Sequence, residues 1–324
     1  MKQYLGFSFM SFAILCMWSF YACSAAVKSD LEFLKKDEPH QKEKLGKLLK
    51  TKTSMSIYTA NGIEFTFRNV KKDYQQGITS FYDIWQLWEA FGRNEKGERE
   101  ANIIRPGEWE TALKINNDFV GGINHGFERK TAIRFVLDGE IVPESESITL
   151  QSFKNLYVEQ ESDLYAFNST MDKIAVITKK WDFNTGGEIK FYQTIKWLSE
   201  QTLSNSYLTM LPVARDDKDM IITSKAKRDD LHEVFDVSYE GHKNPLGPAG
   251  RNKEASVMIL WGDTYRFTVS VKRKEILPNS SLWLSNSKLY NKIYFDYSGK
   301  HTVDKGDVFN VLTIFKIDRI TPES

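Results

Sequence analysis

The feature that most limits how this chain can fold is a series of short segments whose apolar residues recur at every second position. "KIAVITKKWDF", "GEIKFYQTIKWL", "SVMILWGDTYRFTVSVKRK", "LYNKIYFDYS" and "DVFNVLTIFKID" all carry this pattern. A period of two puts alternate side chains on opposite faces of an extended strand. Turn residues close the runs: Asn184-Thr185-Gly186-Gly187, Gly262-Asp263, Pro278-Asn279 and Ser298-Gly299. In "SIYTANGIEFTFRNV" the dipeptide Asn61-Gly62 sits between two such runs, a strong local signal for a hairpin. Many short strands with frequent turns predict an all-β sandwich. One segment departs from the pattern. In "TSFYDIWQLWEAF" the residues Phe81, Ile84, Trp85, Leu87, Trp88 and Phe91 follow helical spacing, which predicts one short helix near residues 80–91.

Cysteine usage narrows what can hold the fold. The chain has two cysteines, Cys16 and Cys23, and both lie in its first 23 residues. That stretch carries Lys2 as its one charge, then an apolar run, then small residues, the pattern of a secretory leader. Residues 1–23 are therefore read as a signal peptide. "FYACS" is similar to a bacterial lipobox, which implies lipidation at Cys23; cleavage near Ala25 or Ala26 is the alternative. With the leader removed no disulfide framework is available, so the core alone must stabilise the fold. Removing Lys2 leaves 43 basic against 43 acidic residues. A neutral balance argues against general nucleic-acid binding. Residues 24–54 are lysine-rich and poor in large apolar side chains, and read as a tether in which "EKLGKLLK" fits a short helix. A single domain is expected over residues 55–324, with residues 240–254 as its longest loop.

The chemistry is constrained first by what is missing. There is no GxSxG elbow, phosphate loop or HExxH. The histidines, His40, His125, His232, His242 and His301, are scattered and do not form a metal-binding pattern. No cofactor is expected, and a structural calcium held by Asp and Asn oxygens is the alternative. His125 stands out within "DFVGGINHGFE", where Gly121, Gly122 and Gly126 free the backbone around it and Glu128 follows. On "KLYNKIYFDYSGK", strand geometry puts Tyr290, Lys292, Tyr294 and Asp296 on one face and Asn291, Ile293, Phe295 and Tyr297 on the other. The first set suits either a carbohydrate cleft or plain solvent. "GEIKFYQTIKW" repeats the arrangement with Lys190, Tyr192, Thr194 and Lys196. Arg68, Arg129 and Gln151 are further polar candidates for substrate contacts.

A leader, a cysteine-free β domain, a loop histidine and a late Tyr-x-Lys strand resemble the β-jelly-roll polysaccharide lyases, for example the alginate lyases. Their late Y-F-K-A-G-x-Y motif is matched here by Tyr290-Asn291-Lys292, with the second tyrosine, Tyr297, one position further on. Their Q-[IV]-H signature is not present, Ile123-Asn124-His125 being only distantly similar to it, and their R-x-E-L-R strand is absent. The resemblance implies a jelly-roll sandwich and β-elimination on a uronic-acid polysaccharide. It implies His125 as base, Tyr290 or Tyr294 as acid, and Lys292 with Arg68 or Gln151 around the uronate carboxylate. Two alternatives stay open: a non-catalytic surface polysaccharide-binding or adhesion lipoprotein, and a glycoside hydrolase using Glu128. The expected partner is an acidic polysaccharide or oligosaccharide. The chain is expected to be an exported monomer that meets a membrane only through a lipid anchor.

Overall fold

The computed structural model describes residues 45–75, 80–238, 250, 255–272, 280–286 and 289–320. The leader with Cys16 and Cys23, both His40 and His242, and all of loop 240–254 except residue 250 lie outside the described residues. The first part of the chain forms β1 (Gly46–Lys50), β2 (Ser54–Tyr58), β3 (Ile63–Lys72), β4 (Tyr82–Arg93), β5 (Arg99–Ile104), β6 (Ala112–Ile115) and β7 (Asp118–Val120). A four-residue helix, α1 (Gly122–His125), leads into β8 (Glu128–Leu137), β9 (Glu140–Val142), β10 (Ile148–Phe153), β11 (Asn155–Tyr165), β12 (Lys173–Asn184) and β13 (Glu188–Trp197). There follow β14 (Gln201–Ala214), β15 (Asp216–Asp217), β16 (Met220–Ile221), β17 (Lys225–Arg228), β18 (Phe235–Asp236) and β19 (Val257–Trp261). The chain closes with β20 (Tyr265–Lys272), β21 (Ser280–Asn286), β22 (Tyr290–Tyr297), β23 (His301–Val303) and β24 (Val308–Arg319).

The strands pair into two layers. One runs β9-β8-β11-β12-β13-β24-β20-β19-β17-β18. The other runs β10-β1-β2-β3-β4-β5-β14-β22-β21, with β6 and β23 also on β14 and β7 on β6. A short parallel contact, Tyr82 opposite Glu128, joins β4 to β8 at one end. The alternation read from the sequence becomes burial. On β13 Ile189, Phe191, Gln193, Ile195 and Trp197 are buried, and the residues between them are not. The inward faces meet through aromatic rings: Phe67 on Trp181 at 4.9 Å, Trp85 on Phe135 at 5.1 Å, Trp109 on Phe315 at 5.0 Å. Burial of such rings drives the layers together, and their edge-to-face geometry fixes how they sit. The result is an all-β sandwich.

Two sequence expectations are corrected. Residues 80–91 are not a helix; they lie largely in β4. The β3–β4 register steps at Trp88, so that Thr66 faces Glu89 while Phe67 faces Leu87. One extra residue in a strand shifts the alternation by one position. Trp85 and Leu87 before the bulge and Ala90 after it all reach the core, and the combined spacing mimics a helix. Residues 46–50, placed in the tether, form β1 between β2 and β10. Leu48 is buried there, and the Lys50 ammonium donates to the carbonyls of Pro143, Glu144 and Glu146 at 3.2, 2.7 and 2.6 Å. Pairing on both edges outweighs the helical preference of Leu and Lys.

Candidate functional site

β22 alternates as its sequence requires. Asn291, Ile293, Phe295 and Tyr297 share one buried face; Tyr290, Lys292, Tyr294 and Asp296 take the other, where the two tyrosines are partly exposed and Lys292 and Asp296 are buried. Register brings neighbours onto that face: Trp283 of β21 and Met210 of β14 lie opposite Tyr294. Trp283 stacks flat on Tyr294, with centroids 4.3 Å apart. Tyr207 lies 4.9 Å from Tyr294, Phe119 stacks on Tyr207 at 5.4 Å, and His125 stacks on Phe119 at 4.8 Å. Trp283, Tyr294, Tyr207, Phe119 and His125 thus form one run of rings. The loop histidine and the tyrosine face of β22 belong to a single surface.

Charges are set into this surface. Lys292 is buried, and its Nζ donates to Glu108 Oε2 at 2.6 Å. The same ammonium lies 5.2 Å from the centre of the Tyr294 ring and 5.9 Å from that of Tyr290. Burial lowers the pKa of His125, and the positive charge of Lys292 lowers it further against the pull of Glu108. Burial raises Tyr290, with the Glu108 carboxylate and a hydrogen bond to it adding to the effect. Tyr294 is raised by burial and then by the phenols of Tyr207 and Tyr290 and the carboxylates of Glu108 and Asp296. At neutral pH the surface therefore holds an uncharged imidazole beside protonated phenols.

Of the glycines beside His125, Gly122 is explained by two buried carboxylates. Glu110 Oε2 accepts the backbone N–H groups of Ile123 and Asn124 at 2.8 and 3.3 Å, and its Oε1 accepts the Asn124 side-chain amide at 3.0 Å. A Cβ on Gly122 would lie 2.1 Å from Glu110 Oε2, and Gly122 has φ +64°, so no side chain is tolerated there. Glu128 Oε2 accepts the Gly122 N–H at 2.9 Å and is gripped by Lys179 Nζ, which lies 2.7 and 2.9 Å from the two oxygens. Burial pushes the Glu110 carboxyl up to about 7, against hydrogen bonds from Asn124 and the backbone and the charge of Lys292. These two carboxylates hold the turn that presents His125.

The other sequence candidates divide. Arg68 pairs with Glu89 at 3.2 Å and lies across the Trp88 ring at 5.3 Å; that ring packs over Gly107, next to Glu108. Arg68 is thus tied to β4, through a ring that packs on the turn before Glu108. Glu128 is fully buried in its pair with Lys179 and does not present a carboxylate to a ligand, which removes it as a glycosidase acid or substrate contact. Arg129 is exposed on β8 over the Phe81 ring at 4.9 Å. Gln151 is exposed on β10, at the edge of the layer away from β22. Lys190 and Tyr192 point outward from the opposite layer. Sequence reasoning missed Glu108, Glu110, Phe119, Tyr207 and Trp283. The available signal was Glu108-Trp109-Glu110 after the Pro106-Gly107 turn: two carboxylates flanking a tryptophan that is buried in the core. Among the described residues no group of three His, Cys, Asp or Glu is placed to hold a metal ion.

No family model matches the chain, and no curated protein matches it. Solved structures similar to it include the Slr1438 protein from Synechocystis sp. PCC 6803, with a TM-score of 0.34 and 12% identity, covering 89% of this chain and 100% of that one. A GalM/aldose epimerase homologue from C. elegans has a TM-score of 0.37 and 7% identity, covering 81% of this chain and 97% of that one. Galactose 1-epimerase from Lactobacillus acidophilus NCFM has a TM-score of 0.36 and 9% identity, covering 88% of this chain and 98% of that one.

Proposed function

We propose that the surface formed by Trp283, Tyr294, Tyr207, Phe119 and His125 binds a saccharide, and that His125 and Tyr290 move protons on it. The supporting observation is the convergence of an uncharged histidine, a protonated tyrosine and the Lys292–Glu108 pair on one aromatic surface. Rings of this kind receive the apolar face of a pyranose. In a site of this polarity a base and an acid that are both in the right state at neutral pH give efficient proton transfer.

The reading put first is β-elimination on a uronate. His125 takes the C5 proton, the electron pair forms the C4–C5 double bond, and the C4–O4 bond breaks. Tyr290 returns a proton to the departing oxygen, and Lys292 lies beside the enolate-like oxygen. A second reading is favoured by the ion pair itself. Glu108 cancels the charge of Lys292, which suits proton transfer at the ring oxygen and anomeric hydroxyl of a neutral sugar. One experiment separates them. Purified protein and a His125→Ala variant are incubated with acidic and neutral oligosaccharides, followed by ultraviolet absorbance for an unsaturated uronate and by polarimetry for anomer exchange. Absorbance that rises only with the wild type supports elimination, and optical rotation that relaxes faster only with the wild type supports the second reading. Identical traces for wild type and variant on every sugar count against both.

A further inference from the structure

The ring surface does not end at Phe119. Lys114 of β6 lies opposite Phe119 on one side and Ser204 of β14 on the other, so the three share a face. Its Nζ is 5.6 Å from the centre of the Phe119 ring. The same face of β14 leads on to Thr202, and there a cleft of about 320 Å³ is lined by Asn116, Asn117, Thr202, Ser204 and Lys300. Asn116 and Asn117 form the hairpin between β6 and β7, both with left-handed φ, 50° and 79°. Among the described residues no carboxylate lines the cleft. Among the described residues neither Lys114 nor Lys300 has an acidic partner, whereas Lys292 is paired with Glu108 and Arg68 with Glu89. A strand advances about 3.3 Å per residue, so Thr202 lies roughly 16 Å from Tyr207 along β14. That is further than one sugar ring reaches.

We propose that this cleft is a second subsite, in which Lys114 and Lys300 bind the anionic substituent of a neighbouring sugar residue in the same chain. The ligand is then an acidic oligosaccharide that runs from the ring surface to the β6–β7 hairpin. The inference rests on the saccharide reading above and names its substrate class. Lys300, the amides of Asn116 and Asn117 and the hydroxyls of Thr202 and Ser204 line the cleft, and Lys114 stands next to it, opposite Ser204; such groups form charge-assisted and neutral hydrogen bonds to a carboxylate or a sulfate ester alike.

The test is a titration followed by tryptophan fluorescence. Three ligands are used: a uronate oligosaccharide, its carboxyl-reduced twin, and a sulfated form of that twin. Wild type is set beside Lys114→Ala/Lys300→Ala and Phe119→Ala. The wild type should bind at least one of the charged ligands about tenfold more tightly than the reduced twin, a preference that added salt weakens. The double variant should bind all three alike, with its affinity for the reduced twin unchanged. Preference for the uronate or for the sulfate identifies which anion is read. Equal binding of all three ligands by the wild type, or a preference that survives in the double variant, overturns the inference while leaving the saccharide reading in place. If none of the three ligands binds and Phe119→Ala changes nothing, the saccharide reading fails and the subsite fails with it.

Discussion

Lys292 Nζ and Glu108 Oε2 lie 2.6 Å apart although their residues are 184 positions apart in the chain. The pair ties β22 to the loop that follows β5, and both charges act on His125. Lys292 opposes protonation of the imidazole and Glu108 favours it, so the pair tunes the histidine from two sides.

That tuning predicts a pH profile. In the proposed reaction His125 is the base and must be uncharged, and its pKa is lowered. The acidic limb of kcat/KM should therefore fall below the ordinary imidazole value of about 6.5. Lys292→Gln should move the limb up, and Glu108→Gln should move it further down. Limbs that coincide in all three proteins would separate His125 from the rate.

Glu110 predicts an unusual stability profile. Its folded-state pKa is raised from 4.5 to about 7. Between those values the unfolded chain gives up its proton first, so the folded state holds more protons. Stability should fall as pH rises through that window, by up to about 3 kcal/mol. Glu110→Gln keeps an acceptor for the backbone N–H groups and should flatten this slope. Denaturant unfolding across pH measures it, and a slope unchanged in the variant would assign it to other groups.

Phe119 is stacked between His125 and Tyr207. Phe119→Ala removes a platform ring and the surface on which the imidazole rests. Saccharide affinity should drop about five- to thirtyfold, the equivalent of one or two kcal/mol. Isothermal titration with any bound sugar reads this directly, and unchanged affinity would place the ligand elsewhere.

The Lys179–Glu128 pair is buried, with side-chain exposures of 5% and 0%. Lys179→Met leaves a buried carboxylate without its counter-charge and should cost about 3–5 kcal/mol of stability. Thermal unfolding tests this, and a loss well below that range would mean that Glu128 finds another partner or takes up a proton.

Much of the fold was legible because period-two alternation and burial have one cause. β13 and β22 lie as their sequences require, and Asn61-Gly62 turns β2 into β3. β4 was not legible because the extra residue at Trp88 is set by pairing with β3, a non-local event. The candidate site was half legible. His125, Tyr290, Tyr294 and Lys292 carry local signals, namely the glycine setting and the polar face of a strand. Lys190 and Tyr192 carry the same local signal as the β22 face, yet they lie on the opposite layer. Local pattern shows that a face is polar but not which side of the sandwich it belongs to. Phe119, Tyr207 and Trp283 read as ordinary core aromatics, and only cross-strand register brings them together.

The turn that carries His125 is anchored by Glu110, just before β6, and by Glu128, on β8. β6 pairs within one layer and β8 within the other. The imidazole is therefore positioned from both layers at once, so its placement reports that the two layers are packed together. On refolding, ligand recognition should return in step with native tryptophan fluorescence, which reads the packing between the layers, and recognition that returns before it would show that one layer suffices. Binding competence is in this sense a gauge of sandwich closure.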